Sequence, residues 1–249
     1  MSYAELAQIY DKLMAEIDYN QWVEYLISQM DIHNAPGNKV LDLGCGTGSI
    51  SIPLAAKGYR VQGVDISLEM LTQAEQKTRE QGLHIPFYQQ DITELLMNNP
   101  VDVVISTFDT LNYLTDHSQL AQAFTRIFNS LTEKGLLIFD LSSPYKLSQV
   151  LGDNIYTYNT ENLVYIWENF YDEQAKKCQM ELTFFSKDQR TGSYIRFDES
   201  HVQKVYPIEE VTVMLMKAGF TILAVHGELN FLPPGPEEER IFFVARKGG

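Results

Sequence analysis

Gly44-Cys45-Gly46-Thr47-Gly48 follows the apolar run Val40–Leu43 and opens a helical pattern. Glycines let the main chain turn tightly and let a ligand lie against it, and the start of a helix offers unpaired N–H groups. Such a turn suits a dehydrogenase loop, a phosphate loop or simply a chain reversal. The lysine of a phosphate loop is missing, since Ser49 and Ile50 follow the last glycine, and Ser49 also stands where the dinucleotide pattern wants its third glycine. About twenty residues on, Asp65 ends a second apolar strand, where a carboxylate can accept hydrogen bonds from both hydroxyls of a ribose. That placement suits NAD and S-adenosylmethionine equally; the plain alternative is a helix-capping acid. Gln90-Asp91-Ile92 follows a third strand and Ser106–Leu114 ends a fourth. Strand carboxyl ends form the ligand crevice of open α/β sheets, so Ser106–Leu114 should border a bound ligand. Asp109, Tyr113 and His117 are the proton-transfer candidates there. Asp109 fits a turn cap as well, and a lone histidine is more often structural.

Taken in order, these elements resemble the class I S-adenosylmethionine-dependent methyltransferases over Lys39–Leu141, with a typical closing segment at Ile208–Arg246. Asp42 sits two residues before Gly44, as in the family's D-x-G-x-G-x-G signature, and a dehydrogenase has no reason to keep Asp42 or Asp91. The resemblance implies S-adenosylmethionine as cofactor. It places Gly44, Gly46 and the Cys45 backbone against the methionine and ribose parts, and Asp42 near the methionine amino group. Asp65 would take the ribose. Asp91 would accept from the adenine amine, the Ile92 N–H would meet a ring nitrogen, and Ile66 and Met70 would pack on the adenine faces. Thr107 would border the cofactor at the fourth strand, and Tyr10 would cover it. Core packing is the competing reading for Met70 and Tyr10. The Asn/Asp-Pro-Pro-Tyr/Phe motif of enzymes acting on base or glutamine amines is missing after the fourth strand, which points to a small-molecule acceptor. A sulfonium methyl is already activated, so the reaction requires no protein nucleophile. A nicotinamide-dependent oxidoreductase and a non-catalytic S-adenosylmethionine-binding protein are the alternatives.

The elements that must position these residues read as α/β: a Rossmann-like seven-stranded, mostly parallel sheet with helices on both faces, its last strand antiparallel. Leu6, Ile9, Tyr10, Leu13, Met14 and Ile17 recur at helical spacing, and Asp18 could cap a second helix bearing Trp22, Leu26 and Met30 on one face. Together they make a helical cap over residues 1–32. Strands are expected at Val40–Leu43, Val61–Val64, Ile85–Tyr88, Val101–Ser106 and Leu136–Leu141, with helices at Ser49–Lys57, Leu68–Arg79 and Ser118–Leu131 between them. Residues 155–206 change period. Leu163–Tyr171, Lys177–Lys187 and Ser193–Tyr206 read as a three-stranded antiparallel meander inserted over the acceptor site. Pro207 opens a last helix, Gly219 closes it, and strands Thr221–His226 and Arg240–Arg246 follow. All 249 residues are read as one domain.

Nineteen basic against thirty-three acidic residues give a net charge of −14. A nucleic-acid backbone needs clustered Lys and Arg, and Lys176-Lys177 reads as a solvated turn, so nucleic acid is an unfavoured partner. No apolar run reaches membrane-spanning length. Cys45 and Cys178 have neither metal-ligand nor CxxC spacing, which argues for a reducing cytoplasm, no metal and no disulfide. A monomer or weak dimer is expected.

Overall fold

The computed structural model describes residues 4–248, which build two hydrogen-bonded sheets and the helices around them. The chain opens with α1 (Ala4–Leu13) and α2 (Tyr19–Ile32). Then come β1 (Lys39–Leu43), α3 (Ser51–Ala56), β2 (Arg60–Asp65), α4 (Leu68–Glu80), β3 (Phe87–Gln89) and β4 (Val101–Ser106). The first half closes with α5 (His117–Ser130) and β5 (Leu131–Ser142). A second sheet is made by β6 (Ile155–Asn159), β7 (Leu163–Asp172), β8 (Lys177–Lys187) and β9 (Tyr194–Lys204). The chain then returns through α6 (Ile208–Lys217), β10 (Phe220–His226) and β11 (Arg240–Lys247) to the first sheet.

That first sheet has seven strands in the order β10-β11-β5-β4-β1-β2-β3. Its strands β1–β5 pair in parallel, and β11 runs antiparallel between β5 and β10. Alternating residues divide the core. Leu41, Val104, Leu137, Phe139 and Phe243 face α5 and α6, whereas Val40, Val103, Ile138, Phe242 and Val244 face α2 and α3. Helices therefore cover both faces, as the sequence predicts.

Local chemistry explains most boundaries. Asp18 caps α2 by accepting from the Asn20 and Gln21 N–H groups, and the Ser67 hydroxyl caps α4 by accepting from Met70 N–H. Gly219, at a φ of +101°, ends α6. Some expected boundaries move. α3 has only six residues, because Gly48 N–H closes a turn onto Cys45 C=O and keeps Ser49 and Ile50 outside the helix. β5 starts at Leu131 directly after α5, five residues earlier than the apolar run Leu136–Leu141 suggests. The inserted sheet has four strands instead of three. β6 pairs with β7 on one side only and all its residues are exposed, so it lacks the buried alternation that marks its neighbours. A π-helical turn at Lys146–Leu151, burying Leu147 and Leu151, was also not anticipated. No described helix is long and apolar enough to cross a membrane.

Candidate active site

The glycine-rich turn is fastened to the end of β2. Gly44 and Cys45 donate their N–H groups to Val64 C=O at 2.8 and 3.1 Å. Gly44 has a φ of +71°, and an added Cβ would stand 2.3 Å from Thr110 Cγ2, so the turn and the segment after β4 approach too closely for any side chain. Gly46 differs: its φ is +52°, and a Cβ there would meet nothing within 4 Å. The main chain at Gly46 thus faces open space, as a ligand cradle requires.

Asp65 lies beside that cradle. Its Oδ2 accepts the Gly46 N–H at 2.8 Å and its Oδ1 accepts the Ser67 N–H at 2.9 Å. Burial pushes the Asp65 carboxyl up, and these backbone bonds oppose the shift. Ile66, next in sequence, is 59% exposed, unusual for its type. Gln90 N–H bonds Asp65 C=O, bringing the end of β3 alongside. There Asp91 Oδ1 accepts from the Thr93 N–H and hydroxyl, both at 2.7 Å, so Asp91 caps a short 3-10 turn that starts at Ile92. Asp42 lies deeper, with its Oδ2 accepting from Ser51 Oγ at 2.6 Å while Oδ1 is buried with no protein partner. Burial raises its pKa to about 7, despite the Ser51 bond.

The N-terminal helix closes over this end of the sheet. Leu6, Ala7 and Ile9 of α1 pack with Met70 of α4 and with Leu163 and Phe184 of the second sheet. Met70 is therefore part of the α1–α4 contact here. The Thr47 hydroxyl donates to Asp11 Oδ1 at 2.6 Å, and Lys77 Nζ reaches Asp11 Oδ2 at 2.7 Å and Thr47 Oγ1 at 3.0 Å. These contacts latch α1 onto the glycine-rich turn. Burial pushes up the Tyr10 hydroxyl, and neighbouring Tyr19, Asp109, Asp65 and Asp11 add to the effect. Tyr10 thus lies among groups from both the β2 and the β4 ends.

At the end of β4, Thr107 is buried and its C=O accepts from the Thr110 hydroxyl. Phe108 and Asp109 follow with φ of 57° and 51°, consecutive left-handed residues without a glycine. Each costs on the order of 1–3 kcal/mol, so the surroundings must over-determine them. The Phe108 ring stacks on Trp22 with centroids 4.0 Å apart, and Asp109 N–H donates to Asp140 Oδ2 at 2.9 Å. Buried Arg240 of β11 pairs with Asp109 Oδ1 at 2.9 Å and with Asp140, and lies 5.2 Å over the Trp22 ring. Burial pushes Asp109 up, but Arg240, aided by Lys146 and Gln203, leaves it below the usual carboxylate range. An ionised, ion-paired Asp109 is suited to holding the loop and is a poor proton acceptor.

The other two proton-transfer candidates part company. His117 is half exposed at the start of α5, with Nε2 2.8 Å from Glu210 Oε2 of α6. Tyr113 stands edge-on to His201 of β9, centroids 5.8 Å apart. The second sheet is bolted to this end of the first. Gln203 Nε2 donates to Asp109 Oδ2, and Asn112 Nδ2 donates to Lys204 C=O at 2.9 Å and Ser142 C=O at 3.2 Å. Sequence reading missed Arg240, Asp11, Lys77, Glu199, His201 and Gln203. Only the alternation of β9, which puts residues 199, 201 and 203 on one side, was available to suggest any of them.

A methyltransferase-domain model matches residues 40–135, which span β1 to the start of β5. A Geobacillus sp. (strain WCH70) protein named provisionally as a methyltransferase is 40% identical over 99% of this chain and 100% of its own length. YqeM of Bacillus subtilis (strain 168), provisionally named in the same way, is 35% identical over 99% of this chain and 98% of its own. The crystal structure of an S-adenosylmethionine-dependent methyltransferase from Clostridium acetobutylicum ATCC 824 superposes with a TM-score of 0.91 at 36% identity, covering 99% of each chain. This kinship decides between the two nucleosides that Asp65 suits, and against a nicotinamide enzyme. On this kinship, the chain belongs to the S-adenosylmethionine-dependent methyltransferases.

Proposed function

We propose that this enzyme methylates a small molecule held between the end of β4 and the inner face of the second sheet. The observation that carries the reading is the attachment of β9 to the β4 loop through Gln203–Asp109 and Asn112–Lys204, which would make the inserted sheet a roof over the crevice at that loop. A roofed crevice favours an acceptor small enough to be enclosed, and the charge of −14 disfavours a nucleic-acid backbone. The same reading makes the enzyme cytoplasmic, and a monomer or weak dimer.

The bound cofactor supplies a methyl on a cationic sulfur, already activated for in-line attack. The chain's task is to hold, orient and exclude water. Asp65 would accept from the ribose hydroxyls while Gly46 and Ser67 N–H groups keep its carboxylate aimed. The Gly44–Gly46 backbone would line the methionine side, with Asp42 Oδ1 offering a buried acceptor towards the amino end. Asp91, Ile92 and Ile66 would meet the adenine, with Met70 behind, and Tyr10, carried by α1, would close over cofactor and acceptor alike beside Thr107.

Calorimetric titration with S-adenosylhomocysteine, with NAD as control, tests the cofactor half. Asp65→Ala should weaken binding on the order of 100-fold, the loss of two hydrogen bonds to a carboxylate. Tritiated-methyl transfer from S-adenosylmethionine into small-metabolite, protein and RNA fractions tests the acceptor half. Label confined to protein or RNA would overturn it.

A further inference from the structure

We propose that Glu199 and His201 of β9 form the acceptor-binding pair of this enzyme, and that the acceptor they select carries a primary or secondary amine. The inference rests on the methyl-transfer reading above and gives it a substrate class.

Phe197, Glu199, His201 and Gln203 alternate onto the inner face of β9, and Glu199, His201 and Gln203 are only 6%, 7% and 2% exposed. The inner side of a half-covered sheet is ordinarily apolar, because burying a carboxylate or imidazole costs free energy that packing does not return. Three consecutive inward positions of β9 nonetheless carry polar groups. Gln203 has its place at Asp109, and His201 and Glu199 stand one and two steps along the same face. The Tyr113 ring lies edge-on to His201 and is 40% exposed, so this end of the pair is next to solvent-accessible surface. Tyr113, Glu199 and His201 each make contacts within the fold.

The surroundings select charge. Glu199 lies opposite Leu182 in the β8 register, and Leu182 in turn lies opposite Trp167 of β7 on the same inner face. Carboxylate plus aromatic faces favours a cation and repels phosphate or carboxylate groups. The nearby guanidinium, Arg240, is already engaged by Asp109 and Asp140.

An ammonium has no lone pair, so a proton must leave before methyl transfer. We assign that proton to the His201 imidazole, whose neutral form burial favours against an opposing pull from Glu181. The freed amine nitrogen forms the N–C bond as the C–S bond breaks, and its electron pair stays on sulfur. The products are S-adenosylhomocysteine and the methylated ammonium, and His201 returns its proton to water. Glu199 holds the substrate ammonium before that proton leaves and the methylated ammonium after transfer.

The test labels a small-metabolite extract with the intact chain and tritiated-methyl S-adenosylmethionine, then locates the labelled atom by mass spectrometry. The expected label sits on nitrogen. With that substrate, Glu199→Gln should raise KM on the order of 30-fold, as loss of a charge-assisted contact does, with a smaller fall in kcat. His201→Gln should lower kcat on the order of 100-fold with KM little changed, and added imidazole should restore part of the rate. Glu199→Asp should retain binding, which separates a charge requirement from misfolding. Label on oxygen or carbon, no label despite intact S-adenosylhomocysteine binding, or kinetics unmoved in both variants would each overturn the proposal. Loss of S-adenosylhomocysteine affinity in the unmodified chain would instead fell the cofactor reading beneath it, and the inference with it.

Discussion

Arg240 Nη1 lies 2.9 Å from Asp109 Oδ1, so the last strand of the chain holds the left-handed loop at the end of β4. Both side chains are largely buried, and Asp140 shares the same guanidinium nitrogen. Removing one member of a buried pair leaves the others desolvated and uncompensated. Arg240→Met should therefore lower unfolding free energy by about 3–5 kcal/mol in urea titrations, with the denaturant slope unchanged. Losing less than about 1 kcal/mol would mean the cluster is solvated in practice.

The two glycines of the turn should behave differently. Gly44→Ala puts a methyl 2.3 Å from Thr110 and should unfold the protein at markedly lower temperature. At Gly46 a methyl meets nothing within 4 Å, so Gly46→Ala should cost only the left-handed backbone term. That term is about 1–2 kcal/mol. Its main effect should fall on S-adenosylhomocysteine affinity, read by calorimetry beside the thermal melt.

Asp42 gives stability a pH dependence whose sign can be worked out. Its folded pKa is raised from an ordinary 3.8 to about 7, so between those values the folded chain binds more protons than the unfolded one. Stability from this group is full below about pH 4 and is lost as pH rises towards 7. Asp42→Asn should remove that slope, at most about 1.4 kcal/mol per pH unit, and gain on the unmodified protein as pH rises. Parallel urea titrations at pH 5 and 7.5, about the two ends of that window, check it.

The Asp11–Lys77 ion pair is partly exposed, at 46% and 26%. Its loss should change global stability by less than about 1 kcal/mol. Its local effect should be larger, because Asp11 also takes the Thr47 hydroxyl and ties α1 to the glycine turn. In Asp11→Asn, α1 amides should exchange with solvent faster while core amides do not, and S-adenosylhomocysteine should dissociate several-fold faster. Unchanged exchange in α1 would show that its apolar contacts alone hold it down.

Much of this molecule was legible in one dimension because its determinants are local. Period and breaker residues marked the parallel strands and the helices on both faces, since each element carries its own burial pattern. The turn Gly44–Gly48, the acid Asp65 and the caps Asp18 and Ser67 act on neighbours a few residues away, apart from the contact between Asp65 and Gly46, which the βαβ crossover enforces. Only the tertiary structure decided the rest. It sent Asp109 to Arg240 and made Gln203, 94 residues away, a fastener of the β4 loop. It placed His117 on the rim against Glu210 and brought His201 of β9 to Tyr113 at the end of β4. It also added β6 to the inserted sheet, where an exposed edge leaves no alternation to read. Each of these depends on which strands become neighbours, and periodicity specifies which face a residue takes without specifying what it will meet there.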